Sequence, residues 1–104
     1  AEASADVRAE VVDTMSRIDP AAYALGARAV WLADQRGRAA TVRCPALILC
    51  GSEDRITPPA LSEELKELIP HAALVEIAGA GHLSNLEQPA IFNRAGERFL
   101  AGLE

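Results

Sequence analysis

The chain has only two cysteines in 104 residues, Cys44 and Cys50, and they bracket an apolar, strand-like run. Six steps of extended chain separate them by roughly 20 Å, well beyond the ~7 Å limit for a disulfide. The pair therefore reads as reduced thiols, which fits a cytoplasmic protein. No Cys-x-x-Cys or His-x-x-x-His spacing occurs to close a zinc tetrahedron, and no other spacing implies a metal or an organic cofactor. Positive charge is also scarce: ten Lys and Arg are scattered among fifteen Asp and Glu, for a net charge of −5. Nucleic acid is accordingly not an expected partner, because binding phosphates draws on clustered basic residues. No apolar stretch approaches the roughly 20 residues of a membrane span. The opening Ala1-Glu2-Ala3-Ser4 lacks the basic-then-apolar order of an export signal. The expectation is a soluble protein without a visible export signal.

What is present fits one modest core. Half of the residues are hydrophobic, but 21 of them are Ala, so the supply of large apolar side chains is limited. A chain of this length buries roughly 65% of its unfolded surface, enough for one domain rather than two. With 24% charged residues and only six Pro and seven Gly, the composition is that of a folded globular protein.

Residues 4–34 read as two helices broken at Asp19-Pro20, where Asp19 can cap the second helix and Pro20 suits its first position. Val7, Val11, Met15 and Ile18 recur at helical spacing in the first, and Tyr23, Ala27, Val30 and Trp31 mark the second. Both are predicted to be amphipathic and to pack on something. A short polar segment, residues 35–43, leads to Cys44-Pro45 and then to Ala46-Leu47-Ile48-Leu49-Cys50, a continuous apolar run ended by Gly51. Such a run fits a strand buried on both faces. Pro58-Pro59 opens a helix carrying Leu61, Leu65, Leu68 and Ile69, and Pro70 stops it. A second strand, Ala73-Leu74-Val75-Glu76-Ile77, ends in Ala78-Gly79-Ala80-Gly81, and Gln88-Pro89 starts a last helix with Ile91, Phe92, Ala95, Phe99 and Leu100 on its buried side. The strand-helix-strand portion predicts parallel pairing with a right-handed crossover, hence the α/β class.

Two parallel strands that are apolar on both faces do not make a stable sheet on their own. The chain therefore reads as part of a larger α/β protein, or as one that associates through its strand edge. In open α/β sheets, functional groups sit in loops beyond the carboxyl ends of the strands. Here those loops are residues 51–57, with Glu53 and Asp54, and residues 78–87, with His82. A carboxylate beside an imidazole can fix the ring tautomer and stabilise the imidazolium formed when the ring takes a proton from a nucleophile.

The run Cys44-Pro45-Ala46-Leu47-Ile48-Leu49-Cys50-Gly51-x-x-Asp54-x-x-Thr57-Pro58, followed by Ile69-Pro70-His71-Ala72, Ala80-Gly81-His82 and Glu87-Gln88-Pro89-x-x-Phe92-Asn93, resembles the C-terminal portion of an α/β-hydrolase fold. The stretch Gly81-His82-Leu83-Ser84-Asn85-Leu86-Glu87-Gln88-Pro89 is most similar to 3-oxoadipate enol-lactonases and their relatives. The resemblance spans residues 43–103, and the helices before it look like the end of that family's helical cap. It implies residues 1–42 as cap end and linker, and residues 43–104 as the C-terminal part of an incomplete core domain. It also implies Asp54 as the triad acid and His82 as the triad base, acting without cofactor on a small-molecule ester or lactone. The sequence departs from the family in having no Gly-x-Ser-x-Gly: Ser4, Ser16, Ser52, Ser62 and Ser84 all lack the flanking glycines. The oxyanion hole is missing with the nucleophile. The chain is thus expected to be inactive alone and to need an N-terminal hydrolase segment or a second chain. A non-catalytic interaction module and one half of a split hydrolase are the alternatives.

Other residues carry plainer readings. Glu53 competes with Asp54 but does not sit at the family spacing. His71 is expected in an exposed loop away from the catalytic edge, and Cys50 as a small buried side chain. Ser84 and Asn85 read as turn and capping residues. Tyr23 and Trp31 suit either a pocket lining beneath a cap or packing between the first two helices.

Overall fold

The computed structural model describes residues 3–103. The reading of the chain's opening rests partly on Ala1 and Glu2, which lie outside those residues, as does Glu104. The elements are α1 (Ala5–Ser16), α2 (Pro20–Leu32), α3 (Arg36–Ala39), β1 (Ala46–Gly51), α4 (Pro59–Leu68), β2 (Ala72–Ile77), α5 (Ser84–Glu87) and α6 (Pro89–Ala101).

Local chemistry sets most boundaries. Ser4 caps α1 by accepting the Val7 amide at 3.3 Å, and Asp19 caps α2 by accepting the Ala22 amide at 2.8 Å. Proline occupies the start of α2, α4 and α6, where a missing N–H costs nothing. The predicted polar connector contains one further helical turn, α3, whose Arg36 bonds Glu64 on α4 and pairs with Asp34. The bond to Glu64 links the turn to the α/β unit.

β1 and β2 pair in parallel, from Ala46 opposite Ala72 to Gly51 opposite Ile77. Parallel pairing needs a crossover, and α4 supplies it. The buried apolar residues are Cys50, Ile69, Ile77 and Ala80. Three of these gather at the carboxyl ends of the strands, so the best-packed part of the unit lies under the loops that carry Asp54 and His82. Leu47, Ile48, Leu49, Leu74 and Val75 are only half-buried, as expected for a two-stranded sheet.

The first two helices differ from expectation. Neither α1 nor α2 has a buried residue, and Trp31 is 70% exposed. The apolar periodicity produced helices but not burial. Burial requires a matching apolar surface, and among the described residues no element supplies one for them.

Candidate functional site

The site begins with a close backbone approach. A Cβ on Gly51 would stand 2.3 Å from the carbonyl oxygens of both Ala80 and Gly81, so no side chain fits at the end of β1. The two loops are then joined by hydrogen bonds. The Ser52 amide donates to the Ile77 carbonyl at 3.0 Å, and the Glu53 amide donates to the Ala80 carbonyl at 2.9 Å. The Gly79 amide donates to Ser52 Oγ at 2.9 Å, with Gly79 at φ 67° in the left-handed region that glycine tolerates. This joining fixes the residues that follow: Asp54 after Glu53, and His82 after Gly81.

Asp54 is buried, with 7% of its surface exposed. Its Oδ1 accepts the amides of Ile56 and Thr57, each at 2.9 Å, and its Oδ2 accepts the Thr57 hydroxyl at 2.9 Å. His82 Nδ1 lies 2.9 Å from the same Oδ2. Burial alone raises the Asp54 carboxyl. The hydrogen bonds from His82, from the Thr57 amide and hydroxyl, and from the Ile56 amide outweigh it and hold the group at about 2, below the usual 3.8.

An ionised Asp54 can only accept, so Nδ1 must carry the proton it shares with Oδ2. The Thr57 hydroxyl spends its own proton on Oδ2 and lies 3.2 Å from Nδ1, where its lone pair takes a second share of that N–H. Nε2 is then the lone-pair nitrogen. The ring is 44% exposed, and among the described residues Nε2 has no hydrogen-bond partner. The arrangement can accept a proton at Nε2 and stabilise the resulting imidazolium through Asp54.

The structure thus brings Asp54 and His82 together. Glu53 is exposed and does not bond the ring, and His71 is exposed at the opposite end of β2 with φ 63°. Cys50 is buried and Cys44 exposed, both as free thiols. Ser84 is buried in α5, but neither α5 nor α6 has a side-chain cap, so the capping reading of Ser84 and Asn85 does not hold. The backbone supplies the order instead: the Gln88 amide bonds the Ser84 carbonyl at 2.9 Å. Tyr23 lies in a surface depression with Met15, Ser16, Ile18 and Pro20, and Trp31 is exposed.

Thr57 is the functional neighbour that sequence reasoning left without a role. Its signal was the Asp-x-x-Thr-Pro spacing, in which a hydroxyl and an amide three residues on return to the carboxylate. Among the described residues, no group of three or more His, Cys, Asp or Glu could hold a metal ion, and no helix is long and apolar enough to cross a membrane.

Comparison with known proteins agrees with this architecture. The chain is 39% identical over 75 residues to 3-oxoadipate enol-lactonase 2 of Acinetobacter baylyi, a match covering 72% of this chain and 28% of that protein. Among solved structures it resembles the enol-lactonase from Burkholderia xenovorans, with a TM-score of 0.64 and 36% identity, covering 67% of this chain and 26% of that one. A thermophilic esterase from Thermogutta terrifontis gives a TM-score of 0.65 at 35% identity, covering 66% of this chain and 25% of the esterase. The chain therefore spans about a quarter of the length of these relatives. The family model for the alpha/beta hydrolase fold matches residues 3–89, most of the chain. The chain belongs to the alpha/beta hydrolase fold family.

Proposed function

We propose that this chain supplies the acid and base of a serine-type hydrolase acting on a small ester or lactone, of the 3-oxoadipate enol-lactonase kind. The observation that carries the reading is the 2.9 Å contact between His82 Nδ1 and Asp54 Oδ2, which leaves Nε2 open at the carboxyl edge of the strands. The similarity to an enol-lactonase and an esterase supports the substrate class.

The serine and oxyanion hole come from a preceding hydrolase segment or a second chain, because no Gly-x-Ser-x-Gly occurs in these residues. In this assignment residues 1–42 form the end of a helical cap and linker, and residues 43–104 the C-terminal part of the core. His82 Nε2 takes the proton of the serine hydroxyl as its oxygen bonds the ester carbonyl carbon. It then gives that proton to the departing oxygen as the ester C–O bond breaks, leaving an acyl-enzyme. Water attacks the acyl carbon while Nε2 takes its proton, and the serine leaves with that proton as the acid is released. Asp54 remains ionised throughout and stabilises each imidazolium. The protein works in the cytoplasm, a reading supported by its two free cysteines, and needs neither nucleic acid nor membrane.

The test compares the complete protein with this chain alone, using a serine-directed fluorophosphonate and enol-lactone hydrolysis. Labelling and turnover by the complete protein, both lost in the chain alone, are expected. Full turnover by a complete His82→Ala variant overturns the reading. A second reading, a non-catalytic interaction module or one half of a split hydrolase, draws on the exposed Val30, Trp31 and Leu32 and on the open edges of the two-stranded sheet. The module predicts a stable complex that the phosphonate does not label. The split enzyme predicts activity restored on mixing the halves.

A further inference from the structure

The loop that carries His82 closes on itself through a side chain with no role in the proton transfers. Glu87, the last residue of α5, turns its carboxylate back so that Oε2 accepts the Gly81 amide at 2.9 Å. Gly81 immediately precedes His82. Backbone bonds complete the clasp: the Leu86 and Glu87 amides donate to the Leu83 carbonyl at 2.8 and 3.0 Å. Both carboxylate oxygens stand 3.2 Å from where a Gly81 Cβ would be, so Glu87 packs directly on this backbone.

Gly81 is thereby held on two sides. Its amide is bonded by Glu87, and its carbonyl oxygen abuts Gly51 at the end of β1. A bond from an amide to a carboxylate is charge-assisted and stronger than one between neutral groups. The next residue inherits this fixed backbone, and its ring must meet Asp54 within the narrow distance and angle range of a hydrogen bond. Among the described residues the ring bonds Asp54 and Thr57 and not Glu87, so the effect of Glu87 runs through the main chain.

We propose that Glu87 is a positioning residue for His82, locking the Gly81 peptide so that Nδ1 is aimed at Asp54 and Nε2 outward. The inference rests on reading Asp54 and His82 as the acid–base pair.

On the full chain, Gly81 amide exchange is measured together with long-range proton–nitrogen spectra of the His82 ring. At alkaline pH, where an imidazole is neutral, these spectra identify the ring nitrogen that carries the proton. The expected result is that Glu87→Ala speeds Gly81 exchange about tenfold or more and lets the His82 proton redistribute from Nδ1 to Nε2. Glu87→Gln keeps an acceptor oxygen and is expected to retain both signatures. Glu87→Leu restores volume without an acceptor and gives a second reading should the Ala variant unfold. An Nδ1 proton as populated in Glu87→Ala or Glu87→Leu as in the wild type overturns the role of Glu87. An Nδ1 proton that persists in Asp54→Asn overturns the pair itself, whatever Glu87 does.

Discussion

Gly51 and Ala80 approach so closely that a Cβ on the former would lie 2.3 Å from the carbonyl oxygen of the latter. The contact is backbone against backbone, at the point where β1 hands over to the loop bearing Asp54 and where the loop bearing His82 begins. Neither partner can rotate away as a side chain could. The absence of one methyl group is therefore what allows the two loops to be joined.

Gly51→Ala is expected to destabilise the fold by about 1–3 kcal/mol or more, the range for forcing atoms into a packed site. Chemical denaturation measures the loss. If the variant remains folded, the distance between the two loops increases and the ring proton of His82 is no longer confined to Nδ1.

In the complete hydrolase proposed above, His82→Ala removes the Nε2 proton acceptor and is expected to lower kcat by a factor on the order of 10⁴ or more. Asp54→Asn keeps the shape but replaces an acceptor-only group with one that can also donate. It favours the wrong ring tautomer, with a loss on the order of 10⁴ in kcat. Steady-state kinetics check both, and because the two residues act as a unit, the double variant should lose little more than either alone.

The Asp54 carboxyl titrates at about 2 in the folded protein against the ordinary 3.8. A lowered folded value means that the carboxylate form favours folding. Its contribution is fully present above about pH 4, declines between that point and about pH 2, and is absent below. Denaturation curves recorded at pH 5, 3 and 2 are expected to show this loss in the wild type. They are expected to show a smaller dependence over the same interval in Asp54→Asn.

Thr57 supplies Asp54 with an amide and a hydroxyl, each at 2.9 Å. Thr57→Val keeps the amide and the branched shape but removes the hydroxyl. The Asp54 titration is then expected to move upward toward the usual carboxylate range, while Thr57→Ser leaves it low. Carbon NMR of the Asp54 carboxyl during an acid titration distinguishes the two variants.

Much of the fold was legible because its determinants are local. Pro20, Pro59 and Pro89 mark helix starts, Asp19 caps α2, and the unbroken apolar run before Gly51 is β1. The pairing of Asp54 with His82 was anticipated from the order of elements, since parallel strands place their following loops at one edge. The environment of α1 and α2 was not legible. Periodicity reports that a helix has an apolar face, but says nothing of what covers it.

The capping role expected of Ser84 and Asn85 failed for a related reason. Turn-forming residues are recognised by type, but the bonds that order residues 81–88 come from main-chain amides and from Glu87, which lies at the far end of the loop. The importance of Thr57 was hidden in the same way. Its residue type allows it to bond many partners, and only the conformation of the turn selects Asp54.

The sequence by itself determined the four longer helices α1, α2, α4 and α6, the two strands, their parallel arrangement and the two loops in which the reactive side chains stand. Each of these follows from the order and spacing of residue types. Only the tertiary structure decided that His82 presents Nδ1 to Asp54 and leaves Nε2 open, that Thr57 bridges the two, and that Glu87 meets the Gly81 amide while Gly51 meets the Gly81 carbonyl. Those are contacts between residues as many as 30 positions apart, from Gly51 to Gly81. Distances of a few tenths of an ångström decide them, and those distances are set when the backbones of the two loops meet.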